Sequence, residues 1–116
     1  MEQYIYKICT RQEWDLALSK GTYQGSKDDL RDGFIHFSKS TQLRETAIKH
    51  FSGQPDLLLI VVDASKFGEE LKWEVSRGGE LFPHLYDSLN ISLISGQYEL
   101  PLNPQGEHIF PEEIAE

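Results

Sequence analysis

The stretch Asp32–Ser38, DGFIHFS, opens on an Asp-Gly turn pair and continues into five residues typical of a β-strand. Successive side chains of a strand point to opposite faces, so Ile35 and Phe37 share one purely apolar face that predicts core. The opposite face carries an aromatic ring, an imidazole and a hydroxyl, on Phe34, His36 and Ser38. Because a buried polar group without a partner is costly, this histidine is either a core residue bonded to a backbone carbonyl or part of a functional site.

Length and composition limit the class of protein. The 116 residues predict a single domain over residues 1–116, with a core at about 4–102 and a surface tail at 103–116. The net charge of -8 argues against nucleic acid as a partner, because phosphate binding relies on Lys and Arg. The single cysteine, Cys9, excludes an internal disulfide. No apolar run is long enough to span a bilayer and no signal-peptide pattern is visible, so a cytoplasmic location without membrane contact is expected.

The residues before this stretch predict a strand followed by a helix. Residues 4–9 alternate in polarity and are rich in β-formers, as a strand is. Thr10 and Glu13 match a capping box, in which the hydroxyl binds the third backbone N–H and the carboxylate reaches back. The helix is expected to run to about residue 20, with Gly21 as its C-cap. Its inward face is expected to carry Trp14, Ala17 and Leu18.

The residues after it predict a second helix and several strands. The helix is expected to end at Phe51, with Leu43, Ala47, Ile48 and Phe51 facing inward. Leu57–Val62 is a continuous aliphatic run, as expected of a central strand covered on both faces. Short strands are predicted at 71–75, 89–94 and 98–102, the first with Leu71, Trp73 and Val75 on one face. Loops are predicted at 23–31, 76–79 and 80–86, and a loop or a single helical turn at 63–68. Strands and helices do not alternate regularly, so we expect an α+β fold with two principal helices packed on a sheet.

Two segments carry the polar residues that a catalytic or ligand-binding site would need. The first segment offers His36, Ser38 and Gln42, and the second offers Glu74, Ser76, Arg77, Gly78, Gly79, Phe82, His84 and Tyr86. The glycine pair allows close approach of a ligand to the backbone. The guanidinium of Arg77 is suited to gripping a carboxylate or phosphate, and Phe82 or Tyr86 to stacking on a planar ring. Convergence of the two segments in one pocket would make them a site.

Each of these residues also has a purely structural explanation. The glycine pair is typical of a hairpin turn, Arg77 has Glu80 nearby as an ion-pair partner, and Glu74 is expected to be solvated. A metal site built from His36, His84 and Glu74 lacks a diagnostic spacing, so no metal is expected. The chain also lacks a nucleophile elbow and a phosphate loop.

At these segments the sequence resembles a family of small bacterial proteins known as domain of unknown function nine-five-two. The resemblance rests on DGFIHFS with the following TQL, on HFSGQPDLLLIVVD and on LKWEVSRGGELFPHLY, and it covers most of residues 4–95. That family is grouped with the ADP-ribosyltransferase-like folds. The resemblance therefore implies a small, mixed or antiparallel split sheet with two principal helices, and a pocket for a nucleotide-like ligand.

The resemblance also implies roles for individual residues. His36 and Ser38 match the strand-borne pair that holds the ribose of NAD, and Tyr86 or Phe82 matches the aromatic residue that stacks on nicotinamide. Glu74 or Glu80 matches the acid, and no motif decides between them. The expected activity is ADP-ribosyl transfer or NAD hydrolysis, with NAD as a substrate and no required cofactor. The alternatives are a degenerate enzyme, a non-catalytic small-molecule-binding module and a plain structural domain.

Overall fold

The computed structural model describes residues 3–114 of the chain. Within these residues the strands are β1 (Tyr4–Thr10), β2 (Thr22–Tyr23), β3 (Ile35–His36), β4 (Leu57–Asp63), β5 (Leu71–Val75), β6 (Leu81–Leu85), β7 (Leu89–Asn90) and β8 (Ile94–Leu100). The α-helices are α1 (Arg11–Lys20), α2 (Lys27–Asp32) and α3 (Leu43–Phe51), and short 3-10 turns lie at 40–42, 64–66, 77–79 and 91–93.

All strand pairs are antiparallel. The strands form one sheet in the order β1-β4-β8, a second in the order β3-β6-β5, and a two-stranded pair of β2 and β7. The two larger sheets meet at an isolated bridge, in which the Tyr6 and Ser38 backbones exchange N–H···O bonds of 2.9 and 2.8 Å. The α+β class with antiparallel sheets and few helices is therefore confirmed.

Strand β4 divides the apolar interior in two. Leu58, Ile60 and Val62 point into one core cluster, which also contains Trp14, Ile35 and Phe37. Leu57, Leu59 and Val61 point into the other cluster, beneath α3. Every residue of β4 is buried, so the prediction of a central strand covered on both faces is confirmed.

The helices begin and end where local chemistry predicts, but their buried faces are narrower than expected. The Thr10 and Glu13 capping box is present, and Gly21 closes α1 with a φ of 83°. The inward placement of Leu18 and Ile48 was wrong, since these side chains are 48% and 71% exposed. Ile48 follows Ala47, and neighbours on a helix differ by about 100°, which turns Ile48 away from the face that Ala47 buries.

Two predicted loops are regular structure instead. Residues 23–31 include the end of β2 and most of α2, whose N-terminus is capped by Ser26 and Asp29. Asp replaces the usual Glu or Gln of a capping box there, so the pattern was missed. Most of the predicted loop 80–86 is β6 (Leu81–Leu85), the middle strand of its sheet, although Pro83 lacks the N–H that a central strand normally donates. The Pro83 carbonyl still accepts a bond from Phe37 N, at 3.0 Å.

Other boundaries also differ from prediction. The strand of the DGFIHFS stretch is reduced to β3, and the predicted strands at 89–94 and 98–102 become β7, a 3-10 turn and the continuous β8. Val75, at the end of β5, is 70% exposed. In the tail, Ile114 is buried in the cluster beneath α3 rather than lying on the surface. Residues 1, 2, 115 and 116 lie outside the described residues.

Candidate functional site

A cavity of about 300 Å³ lies beside the junction of the two larger sheets. Its walls come from β1, α2, β3, α3, β6 and the turn that follows β5, so segments distant in sequence meet there. The charged or hydroxyl-bearing residues that matter most for its chemistry are Lys7, Asp29, His36, Ser38, Arg77 and His84.

The structure brings some of the predicted site residues together and separates others. The predicted residues that line the cavity are His36, Ser38, Ser76, Arg77, Phe82 and His84. The residues that lie outside its lining are Gln42, Glu74, Gly78, Gly79 and Tyr86, together with the alternative acid Glu80. Both segments thus contribute to one cavity, but neither of the predicted carboxylates, Glu74 and Glu80, lines it.

One group of side chains, which we name the Asp29 cluster, consists of Lys7, Asp29, Asp32 and His36. The Lys7 ammonium lies 2.8 and 3.0 Å from the two carboxylate oxygens of Asp29. His36 Nδ1 lies 2.6 Å from Asp29 Oδ1, and His36 Nε2 lies 3.0 Å from Asp32 Oδ2. Both ring nitrogens of His36 are therefore held by carboxylates, so His36 is not bonded to a backbone carbonyl as its structural explanation proposed.

Asp29 is the centre of this cluster and is only 2% exposed. Its carboxylate also accepts backbone bonds from Ser26 N at 2.8 Å and His36 N at 3.1 Å. Burial alone would raise the pKa of Asp29, but the bond from His36 and the charge of Lys7 outweigh it and hold that pKa well below its usual range. Asp29 thus joins α2 to β1 and β3 as a buried anion.

A second group, which we name the His84 cluster, consists of Glu74, His84 and Tyr86. His84 Nδ1 lies 2.8 Å from Glu74 Oε1, and the Tyr86 hydroxyl donates to the same oxygen at 2.8 Å. The bond from His84, followed by that from Tyr86, lowers the pKa of Glu74, and the bond to Glu74 raises the pKa of Tyr86. The Glu74 side chain is 38% exposed, so this cluster reaches from the cavity to solvent.

The two histidines are neighbours across the sheet. His36 of β3 and His84 of β6 are register partners, and their ring centroids lie 5.4 Å apart. Phe34 packs against both rings, at 4.5 Å from His36 and 4.2 Å from His84, with the second pair stacked. Tyr86 packs on the same phenyl ring in a tilted arrangement at 5.0 Å and lies outside the cavity lining, whereas Phe82, the alternative predicted aromatic residue, lines the cavity.

Arg77 is the cavity cation that remains most available. Its Nη2 donates to Thr46 Oγ1 at 3.0 Å, and its guanidinium lies 5.0 Å from the centroid of the Phe82 ring. Arg77 Nε is 3.1 Å from Glu45 Oε1, but the N–H points off that line and the buried Nε has no hydrogen bond among residues 3–114. The partner is thus Glu45, and the expected pairing with Glu80 is not seen.

The remaining predicted residues have structural roles. Gly78 and Gly79 adopt φ values of 68° and 77°, so they serve the turn between β5 and β6 rather than a close approach to the cavity. Gln42 is 3% exposed; its amide nitrogen donates to Leu81 O at 2.9 Å and its oxygen accepts from Lys39 N at 2.9 Å. Gln42 therefore fixes the backbone around the cavity.

The sequence reasoning missed Lys7 and Asp29. A lysine inside an alternating apolar strand and a Ser-x-x-Asp cap were the signals available for them. Within the described part of the chain, no group of three or more His, Cys, Asp or Glu residues is arranged to hold a metal ion. No helix between residues 3 and 114 is long and apolar enough to cross a membrane.

Comparisons with known proteins give a family but no activity. The model of the protein family of unknown function DUF952 matches residues 8–96. The crystal structure of protein CC0527 from Caulobacter crescentus is 47% identical, with a TM-score of 0.92 over 96% of this chain and 97% of that one. The solution NMR structure of CC0527 is 50% identical, with a TM-score of 0.81 over 90% of each chain. No curated protein matches the sequence.

Proposed function

The chain belongs to DUF952, a protein family of unknown function, and from that premise we propose that its cavity binds a nucleotide-like ligand, the ADP-ribose part of NAD. The observation that carries the proposal is the position of the cavity, where the β1-β4-β8 and β3-β6-β5 sheets meet beside the Tyr6–Ser38 bridge. The split between these sheets agrees with the ADP-ribosyltransferase-like fold that the sequence resemblance implies.

The charges around the cavity favour an anionic group near Arg77. Lys7 is also cationic, but Asp29 already neutralises it at 2.8 Å. Arg77 is held by Thr46 and Phe82, and its partner Glu45 is 59% exposed and therefore weakly bound in water. A phosphate oxygen in the cavity would form charge-assisted bonds with this preoriented guanidinium.

The size of the cavity limits how much ligand it encloses. Ligand cavities span roughly 300–1,000 Å³, and this one, at about 300 Å³, lies at the lower end. It suits one ring with its sugar and phosphate, and the rest of a dinucleotide would extend past the exposed Arg31 and His50 at the wall. Ser38 lines the cavity, and in this proposal its hydroxyl meets those of the sugar.

Isothermal titration with ADP-ribose and with NAD tests this proposal. We expect binding by the wild type and at least about a tenfold weaker affinity in Arg77→Met, because bonds to a charged group contribute about 1.5–3 kcal/mol. Lys20→Met is the matched control, since it removes one exposed positive charge at the end of α1. No heat with either ligand in folded protein, or an equal loss in both variants, would reject the proposal.

A binding module without turnover is the second candidate. The observation that favours it is the absence of Glu74 and Glu80 from the cavity lining, since the resemblance assigns catalysis to one of them. In this case NAD and ADP-ribose bind, but no nicotinamide is released on incubation with NAD. In the catalytic case NAD is the substrate and nicotinamide release follows the concentration of folded protein.

A further inference from the structure

We propose that His84 is the acid–base residue of this cavity, that Glu74 positions it, and that the pair activates water to hydrolyse an N-ribosyl bond to a pyridinium base. This inference rests on the proposed function, since it concerns the same ligand class. It goes further by moving the proton transfer from a carboxylate to an imidazole. It also assigns the reaction as hydrolysis rather than transfer to a second macromolecule.

The hydrogen bonds of His84 determine which ring nitrogen carries the proton and which one can act as a base. Nδ1 lies 2.8 Å from a Glu74 oxygen, and a carboxylate there requires Nδ1 to carry the proton and donate. The lone pair of the neutral ring then resides on Nε2. His84 is 5% exposed and lines the cavity, and no hydrogen bond from Nε2 is found within residues 3–114. Nε2 is thus the basic atom available to a bound water.

His36 cannot take this role in the same arrangement. Its Nδ1 lies 2.6 Å from Asp29 and its Nε2 lies 3.0 Å from Asp32. A ligand or water would have to displace a carboxylate to reach either nitrogen. His36 therefore serves as a link within the Asp29 cluster, and His84 is left as the imidazole with an unoccupied nitrogen.

The surroundings of Glu74 make it a positioning residue. The Tyr86 hydroxyl binds the same carboxylate oxygen at 2.8 Å, and Phe34 stacks on the His84 ring at 4.2 Å. These contacts fix the position of the carboxylate and the plane of the imidazole. Because Glu74 is partly exposed, the proton that His84 accepts has a short route to solvent.

The proposed step balances without a further reactant. Water attacks the anomeric carbon of the ribose while His84 Nε2 removes one of its protons. The carbon–nitrogen bond to the pyridinium breaks, and its electron pair leaves with the neutral base. The products are the ribosyl hydroxyl compound, nicotinamide and a proton, which His84 returns to solvent. A positioned base contributes typically about 100-fold or more to such a step.

Several charged groups surround His84. They are Glu74 and Lys72 from β5, Tyr86 after β6, His36 from β3, and Lys7, Asp29, Asp32 and Arg77 around the cavity. Hydrolysis needs the neutral imidazole, so we expect the rate to fall toward acidic pH as Nε2 is protonated. If Glu74 positions His84, removing its charge should shift the pH profile of the rate. If Glu74 has only a structural role, the same change should leave the profile where it is.

Long-range proton–nitrogen NMR of the histidine rings is the first test, and it does not depend on activity. We expect His84 in the Nδ1–H form in the wild type and a change in its tautomer balance in Glu74→Gln. Glu80→Gln is the matched control, since Glu80 lies just beyond the turn that follows β5 and contacts Gln42 rather than His84. A proton on Nε2 of the neutral ring in the wild type, or the same change in both variants, would overturn the assignment.

Nicotinamide release from NAD is the second test. We expect His84→Gln to lower the rate about 100-fold or more while ADP-ribose still binds, and added imidazole to restore part of the rate in His84→Ala. If ADP-ribose binds the wild type but no nicotinamide appears, this inference fails and the binding proposal stands. If ADP-ribose does not bind at all, the binding proposal fails and this inference fails with it. If the His84 variants do not fold, a shifted pH profile in Glu74→Gln supports the inference and an unshifted profile rejects it.

Discussion

His36 and His84 sit opposite each other across two strands, with ring centroids 5.4 Å apart, yet their partners give them different roles. His36 is held between two carboxylates, one of them the buried Asp29, whose charge Lys7 neutralises. His84 lines the cavity and has a single carboxylate partner, Glu74, which is 38% exposed. The difference shows that the partners of a histidine, rather than its strand position, decide which of its ring nitrogens are occupied.

Removal of the Asp29 carboxylate should have the largest effect on stability. In Asp29→Asn the Lys7 ammonium, only 9% exposed, loses its counter-charge, so the unfolding free energy should fall by about 3 kcal/mol or more. Urea unfolding measures the loss. Asp28→Asn removes the same charge at the neighbouring position, where the side chain is 67% exposed, and should change little. A loss of unfolding free energy below about 1 kcal/mol for Asp29→Asn would mean that the Asp29 cluster does not stabilise the contacts of α2 with β1 and β3.

Removal of both charges should recover part of that loss. The double variant Lys7→Met with Asp29→Asn no longer contains a buried unpaired ammonium, so it should be more stable than the sum of the single variants predicts. Residues in one ion-pair network couple by roughly 0.5–3 kcal/mol, and we expect at least about 1 kcal/mol here. Purely additive losses in a double-mutant cycle would show that Lys7 and Asp29 do not stabilise each other.

The stabilisation by Asp29 should also depend on pH. The pKa of Asp29 is lowered in the fold, so its contribution is fully present above the unfolded pKa of about 3.9 and is lost as pH falls through the folded value. The stability difference between the wild type and Asp29→Asn should therefore narrow as pH falls from about 5 to about 3. Urea midpoints across this range measure it, and a difference that stays constant or widens would contradict the assignment.

The His84 cluster should contribute least to stability. Glu74 is partly exposed and bonded to a ring and a hydroxyl rather than to a buried charge, so Glu74→Gln should shift the unfolding midpoint by only a small fraction of the Asp29→Asn shift. Thermal unfolding of both variants in one buffer makes the comparison. Equal shifts would remove the distinction between a structural and a functional histidine.

Short-range patterns in the sequence predicted the elements whose causes are local. The Thr10 and Glu13 box fixed the start of α1, and the aliphatic run 57–62 was enough to identify β4 as the central strand. Prediction failed where the pattern was atypical. Because the cap of α2 pairs Ser26 with Asp29 instead of the usual Glu or Gln, the helix was predicted as a loop, and because β6 contains Pro83, it was also predicted as a loop. Tertiary pairing outweighed local preference for β6, whereas α2 begins at a local cap of unusual composition.

The same short-range reasoning predicted the segments of the candidate site but not the partners of its residues. The two segments that hold His36, Ser38, Arg77, Phe82 and His84 were identified, and the structure places them around one cavity. The identity of each partner was not predictable. Arg77 was expected beside Glu80 and lies beside Glu45, and Glu74 meets the cavity only through His84.

By itself the sequence determined the α+β class, the central strand, the caps of α1 and the two segments that carry polar chemistry. These follow from the periodicity of apolar residues, from helix capping and from turn propensity, which act over a few neighbouring residues. Only the tertiary structure decided that Lys7 meets Asp29, 22 positions away, and which histidine nitrogen is left unoccupied. Such contacts depend on strand register and on the burial of charge, and no local pattern encodes either.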